Sequence, residues 1–339
     1  MRVAVYYNNR DIRIEERPVP QIGPGEILVE MEASGICGSD VMEWYRIGKA
    51  PIVLGHEIAG TIVETGEGVH DFERGERVFV SHHVPCGECR YCEAGQHSLC
   101  ETLRTTNFDP GGFAEFIRVP EINERKGTFR LPAGMSFEEG AFIEPLACVL
   151  RGIETARFRP GRSALVLGSG ISGLLFVKAL RALRASRIAA TDVVEQRVAF
   201  AERFGADIAL LADEAEPDRL RRENGGFLFD LVIVCAGAEP AFRQAFDLVE
   251  QGGTVLLFAP PEPGLVLDLP LFRIWRDQIA IHSTYAGCPA DIEEAIEMIA
   301  AERLSVTDMI THRLPLERTA EGFGLVADGR ESIKVIITP

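Results

Sequence analysis

The stretch SALVLGSGISGLLFVKALRALRASRIAATD, residues 163–192, changes its periodicity twice. SALVLGS is a continuous apolar run of strand length, ISGLLFVKALRALR spaces its apolar residues for a helix, and RIAATD returns to strand. Between the first strand and the helix stand Gly168, Gly170 and Gly173 in the G-x-G-x-x-G spacing. Such a turn bends tightly at its first glycine, admits a pyrophosphate at its second and packs helix on strand at its third. The helix amino terminus then offers unpaired N–H groups and a positive dipole end to phosphate. A Gly-rich turn alone is a weak signal. Asp192, 19 residues beyond Gly173 at the end of the next strand, makes this one strong. A carboxylate there accepts from the adenosine ribose hydroxyls and repels a 2′-phosphate, which favours NAD over NADP. Ser172 in the turn is a further candidate cofactor contact. Arg197 either flanks the adenosine or is an ordinary solvated helix residue.

Outward from this unit the alternation continues through EQRVAFAERFG, FDLVIVCAG, AFRQAFDLV and GTVLLFA. Apolar strands joined by amphipathic helices predict an α/β fold with a doubly wound parallel sheet. The first ~140 residues differ, reading as short strands between Gly and Pro turns, a mostly β domain. After IAIHSTYAG come a helix, DIEEAIEMIAAERL, and the strands ITHRLPL and IKVIITP. Periodicity leaves open whether this tail closes the second region or returns to the first.

A chain of 339 residues suits two domains. Its composition, 46% apolar and 25% charged, is that of a globular protein, and its net charge of −16 argues against a nucleic-acid surface. No run approaches the ~18 apolar residues of a membrane span, and the amino terminus lacks a signal-peptide core, so a cytoplasmic location is expected.

In that reducing setting the segment PCGECRYCEAGQHSLC, residues 85–100, reads as a metal site. Cys86, Cys89, Cys92 and Cys100 supply four thiolates, which close a tetrahedron around Zn²⁺ and leave no open position, so the site is structural. An iron–sulfur ferredoxin pattern fits less well, because the last gap is seven and no Pro follows Cys100. A second set is scattered: Cys37 and Asp40 in GICGSD, His56 and Glu57 in GHE, and Glu144 in FIEPLA. Taken singly, each has a plain reading as a buried thiol, a core histidine or a capping carboxylate.

Together these segments resemble the zinc-dependent medium-chain dehydrogenase/reductase family, the alcohol dehydrogenase superfamily. The likeness is greatest to its sorbitol and polyol dehydrogenase branch, with L-threonine dehydrogenase nearby. It runs through GICGSD, VLGHEIAG, GERV, the four-cysteine lobe (about residues 85–101), GGFAEF, LPAGMSFEEGAFIEPL, GSGISG and THRLPLE. The resemblance implies a GroES-like catalytic domain over residues 1–148 and 286–339 and a Rossmann-type NAD-binding domain over 149–285, with the active site in the cleft between them. It implies two zinc ions per chain: one structural, and one catalytic held by Cys37, His56 and Glu144, with Glu144 reaching the metal directly or through water and Glu57 a nearby acid that can exchange onto it. Asp40 would orient His56, and Ser39 would take the substrate proton into a relay. The implied reaction is reversible oxidation of a secondary alcohol, a polyol, cyclitol, sugar or sugar acid, by hydride transfer to NAD. A threonine or simple alcohol substrate is the alternative, and a redox-inert NAD-binding protein is the alternative outside enzymes. A homotetramer or homodimer is implied as well.

Three departures bear on the substrate. Met42 stands where the polyol and threonine enzymes usually carry a relay histidine, leaving Glu43, Glu57 or water to finish the proton step. The segment from Trp44 to Pro51 is short, and Arg151 replaces a common histidine, its plain reading being a solvated surface residue. Tyr285 matches a polyol contact in relatives, Trp44 at the start of the shortened segment is a second substrate-pocket candidate, and Thr284 replaces an arginine. The remaining cysteines, Cys148, Cys235 and Cys288, read as packing residues.

Overall fold

The apolar runs that open on residue 163 form one six-stranded sheet in the computed structural model, which describes residues 1–339. Its strands are Ser163–Leu167, Arg187–Asp192, Ile208–Leu211, Phe229–Val234, Val249–Leu257 and Ala280–Ser283. In space they run third, second, first, fourth, fifth, sixth, and every neighbouring pair is parallel. This is the doubly wound Rossmann order. Every residue of Ser163–Leu167 is buried, as expected of a central strand covered on both faces. The strand order reverses beside it, so the loop leaving Leu167 lies at the topological switch point, where such sheets bind ligands.

These strands belong to a compact unit, Val149–Tyr285. A second unit comprises Met1–Cys148 and Ala286–Pro339. Its seven-stranded sheet has as its centre the antiparallel pair Ile27–Gly35 and Glu57–Thr65. The carboxy-terminal strands Ile310–Pro315 and Lys334–Thr338 extend this sheet, with Ile336 opposite Gly35. Val3, Val29, Ile58, Ile62, Phe113 and Val335 are among the buried residues that fill its core.

The register decides where the chemistry sits. Gly35 pairs with Glu57, so Cys37, just past one strand end, and His56, just before the other, emerge at the same end of the sheet. Lys334 opens its strand beside them. Gly35 is required by space: a Cβ there would collide with the Glu57 carboxylate and with Lys334 Nζ at 2.7 Å. No helix is long and apolar enough to cross a membrane.

Candidate active site

One ligand atom from each of Cys37, His56 and Glu57 lies within 4.8 Å of the others. Glu144 is outside that group. It sits in the first turn of the helix Ile143–Thr155, where burial pushes its carboxyl pKa up and the nearby His56 pulls it back. The fit to a metal ion rests on two observations. The donors are a thiol, an imidazole and a carboxylate, a set that suits zinc with an open position. Glu57 is 1% exposed, yet its Oε1 has no hydrogen-bond partner, an orphaned acceptor that a cation would satisfy.

Asp40 lies beneath this group, fully buried. Its Oδ1 is 3.3 Å from His56 Nδ1, and its Oδ2 accepts from the Cys37 N–H at 3.1 Å. That contact engages Nδ1 and frees Nε2 for the ligand role. Burial acts against the charge on Asp40, but His56, Arg46 and the Cys37 N–H outweigh it and hold the carboxyl below its ordinary range. Burial would likewise push His56 down, and Asp40 and Cys37 outweigh it, holding the imidazole well above its ordinary value before any metal binds. Ser39 Oγ lies 3.4 Å from Cys37 Sγ.

Several neighbours carried no motif. Lys334, fully buried, donates to Glu57 Oε2 and to the Ile36 carbonyl at 3.4 Å. The His82 ring is 4.8 Å from that of His56, and burial, with the charges of His83 and His56, drives its pKa well down, so it stays neutral. Cys148 corrects the packing reading: its thiol donates to Glu144 Oε1 at 3.4 Å, one helical turn away, and burial raises its pKa well above the ordinary value. Trp44 is 40% exposed beside Tyr45, and Tyr285, in the other unit, is 45% exposed. Arg151 pairs with Glu154 at 3.3 Å. Glu43 is exposed and accepts from the Asn9 N–H at 3.0 Å.

The four-cysteine lobe has its own geometry. Cys86 and Cys92 sulfurs are 3.9 Å apart, Cys89 and Cys92 3.6 Å, and Cys86 and Cys100 3.6 Å. Sulfurs at about 2.3 Å from a tetrahedral zinc stand about 3.8 Å from one another, whereas a disulfide needs about 2.05 Å. The lobe therefore fits a metal and excludes a cross-link. At Cys100, N–H groups of Cys86 and Leu103 outweigh burial and lower the thiol pKa to about 6, whereas burial raises that of Cys92 to about 12.

In the other unit the glycine turn performs as its spacing implies. Gly168 adopts φ +99°, and a Cβ on Gly173 would strike the Gly168 carbonyl. Gly170 is different. Its φ of −72° suits any residue, and a Cβ there would meet only Arg197 Nη1 at 4.0 Å. Nothing in the folded chain needs glycine at 170, so the space before the helix Ile171–Ala182 is a cradle for a group approaching the backbone. Ser172 lies in that first turn. Asp192 is buried, accepts from the N–H groups of Ser169 at 2.8 Å and Val194 at 3.0 Å, and lies 3.7 Å from Arg197.

Two family descriptions match: "Alcohol dehydrogenase GroES-like domain" over residues 23–131 and "Zinc-binding dehydrogenase" over residues 172–301. Sorbitol dehydrogenase of Ovis aries is 32% identical, covering 98% of this chain and 95% of its own. The chain belongs to the zinc-dependent medium-chain dehydrogenase/reductase family. Within that family it is similar to the polyol branch, and it is an oxidoreductase with the GroES-like and Rossmann-type architecture. Galactitol-1-phosphate dehydrogenase of Escherichia coli superposes with a TM-score of 0.88 at 28% identity, covering 100% of both chains. A Sinorhizobium meliloti 1021 protein solved with NADP bound gives 0.88 at 28%, covering 100% of this chain and 99% of its own.

Proposed function

We propose that this chain oxidises a secondary alcohol reversibly to the ketone, with NAD(H) as hydride carrier and a polyol, cyclitol, sugar or sugar acid as substrate. The observation that carries this reading is the buried trio Cys37, His56 and Glu57, with donor atoms within 4.8 Å and one carboxylate oxygen unpartnered. Cys37, His56 and Glu57, with Glu144 as a further carboxylate, would hold a zinc ion that would supply a Lewis acid for the alcohol oxygen, and a bound nicotinamide would supply the hydride acceptor. The chain's own part is geometric. Asp40 fixes the His56 ring, Ser39 presents a hydroxyl beside Cys37, and Gly168, Gly170, Ser172 and Gly173 shape the dinucleotide cradle of the other unit. A second zinc at Cys86, Cys89, Cys92 and Cys100 braces a loop and takes no part in the reaction. Names of relatives, sorbitol dehydrogenase and galactitol-1-phosphate dehydrogenase, support the polyol class. Met42 in place of histidine sets threonine behind it.

Asp192 supports NAD, because its carboxylate faces the place of the adenosine ribose in this fold. Arg197 at 3.7 Å opposes that preference with a positive charge. The test is a screen of polyols, cyclitols, sugar acids and amino alcohols with NAD and with NADP, with and without a zinc chelator. At least one polyol-class substrate is expected to give NADH, with turnover abolished by chelation. Asp192→Ala is expected to lower the NAD over NADP preference by about tenfold, the worth of roughly 1.4 kcal/mol. Chelator-insensitive turnover, or equal use of both cofactors by the unaltered enzyme, would count against the reading.

Self-association into a tetramer or dimer is part of the same proposal. Leu271, Phe272 and Trp275 are about 70% exposed on the helix Leu271–Arg276, which precedes the sheet's edge strand Ala280–Ser283. Apolar surface beside an open strand edge is material for an interface. Sedimentation is expected to give a multiple of 37.2 kDa, and a monomer at micromolar concentration would contradict it.

A further inference from the structure

Ser39 and Asp40 share a partner that neither the zinc-site motifs nor the glycine turn announces. Arg46 closes the short helix Glu43–Arg46, with its side chain 14% exposed. Its Nε donates to the Ser39 carbonyl at 3.0 Å, and its Nη2 to Ser39 Oγ at 2.9 Å and Asp40 Oδ1 at 3.4 Å. The guanidinium also lies over the Tyr45 ring, 4.8 Å from its centroid. A planar fork held at three oxygens and stacked on a ring has little freedom left.

The consequence follows from counting donors. A serine hydroxyl has one proton and two lone pairs, and Arg46 fills one lone pair. A guanidinium has no acceptor and does not deprotonate, so no proton can leave Ser39 on that side. Other acceptors are elsewhere. Met42 offers none, and neither Glu43, which accepts from the Asn9 N–H, nor Glu57, which accepts from Lys334, is hydrogen-bonded to Ser39. The Ser39 proton is left to face Cys37 Sγ, 3.4 Å away, the side on which the reacting oxygen belongs.

We propose that Arg46 is a positioning residue that fixes the Ser39 hydroxyl as a hydrogen-bond donor toward the reacting oxygen, in place of a side-chain proton relay. This rests on the alcohol-oxidising reading given above. The alcohol's O–H proton passes to water, its C–H hydride passes to the nicotinamide, and Ser39 donates to the oxygen that has become negative. The balance is alcohol plus NAD⁺ to ketone, NADH and a proton. The fixed cation behind Ser39, its side chain 14% exposed, strengthens that donor.

The test uses the zinc-loaded full chain, its best substrate from the screen, and Arg46→Ala and Arg46→Lys. Arg46→Ala is expected to lower kcat about 100-fold, the scale of losing one preorganised donor, with KM changed less than about threefold. Added guanidinium at millimolar concentration is expected to restore at least about tenfold of that loss, and Arg46→Lys to retain an intermediate rate. Cobalt-substituted Arg46→Ala should keep the unaltered protein's visible spectrum, because Arg46 touches none of Cys37, His56 and Glu57. A kcat within threefold of the unaltered enzyme, absence of guanidinium rescue, or a changed cobalt spectrum each overturns the proposal. Chelator-insensitive turnover by the unaltered enzyme would overturn the underlying reading together with this one, and it is recognised before any variant is made.

Discussion

Cys37→Ala and His56→Ala are each expected to lower kcat by about 10³–10⁴-fold, with affinity for the dinucleotide changed less than about twofold. The size follows from the several kcal/mol that a Lewis acid contributes to a developing alkoxide, at 1.36 kcal/mol per factor of ten. The separation follows from the fold. Both residues stand at one sheet end in the unit of residues 1–148 and 286–339, whereas Gly168, Gly170 and Gly173 lie in the unit Val149–Tyr285. Loss of a donor leaves two of the trio, and an imidazole with a carboxylate or a thiol with a carboxylate holds zinc poorly. Metal analysis of each variant should therefore find about one zinc per chain, that of the four-thiol lobe, against about two in the unaltered protein. Stopped-flow rates and dinucleotide titration by fluorescence check the two halves of the expectation independently. Turnover surviving either substitution would remove the trio from the reaction, and collapse of dinucleotide affinity would make the variants uninformative about metal by exposing a wider unfolding.

What the sequence disclosed and what it withheld divide along a physical line. The four-thiol lobe and the glycine turn were readable because their residues are close in sequence and their spacing is set by a metal radius or a helix start. The doubly wound parallel sheet was readable because buried parallel strands must be continuously apolar, as Ser163–Leu167 is. Cys37 and His56 came from flanking segments, and their nearness is a property of the register that pairs Gly35 with Glu57. Lys334 had no such signal. It lies 277 residues from Glu57, in an otherwise ordinary apolar strand, and only the return of the last strand to the sheet that holds Ile27–Gly35 unites them. Arg46 was within reach, seven residues beyond Ser39, but a lone arginine at the end of a short helix has no pattern to mark it. Cys148 could have been found at i+4 from Glu144, since two polar groups at that spacing share a helix face.

Lys334→Met is expected to cost more stability than any surface substitution in the chain, and to cost less when zinc is present. Lys334 and Glu57 are 0% and 1% exposed, so removing the ammonium leaves a buried carboxylate whose Oε1 already lacks a partner. Breaking one side of such a pair costs about 3–5 kcal/mol, equivalent to a fall of roughly 10 °C in Tm for a unit of this size. Phe142, whose ring centroid is 5.6 Å from Lys334 Nζ, and the Ile36 carbonyl lose their cation as well. Glu57→Gln in the same chain removes the stranded charge and should recover most of the loss, because a neutral pair of similar volume is tolerated where half an ion pair is not. A divalent ion beside Glu57 supplies positive charge of its own, so zinc should stabilise Lys334→Met by more than it stabilises the unaltered protein. Thermal denaturation of the three proteins, with metal and after chelation, measures each of these differences. An equal drop with and without zinc would mean that Glu57 does not face the ion. A drop unrelieved by Glu57→Gln would mean that Lys334 acts through its packing against Phe142 and the strand end rather than through its charge.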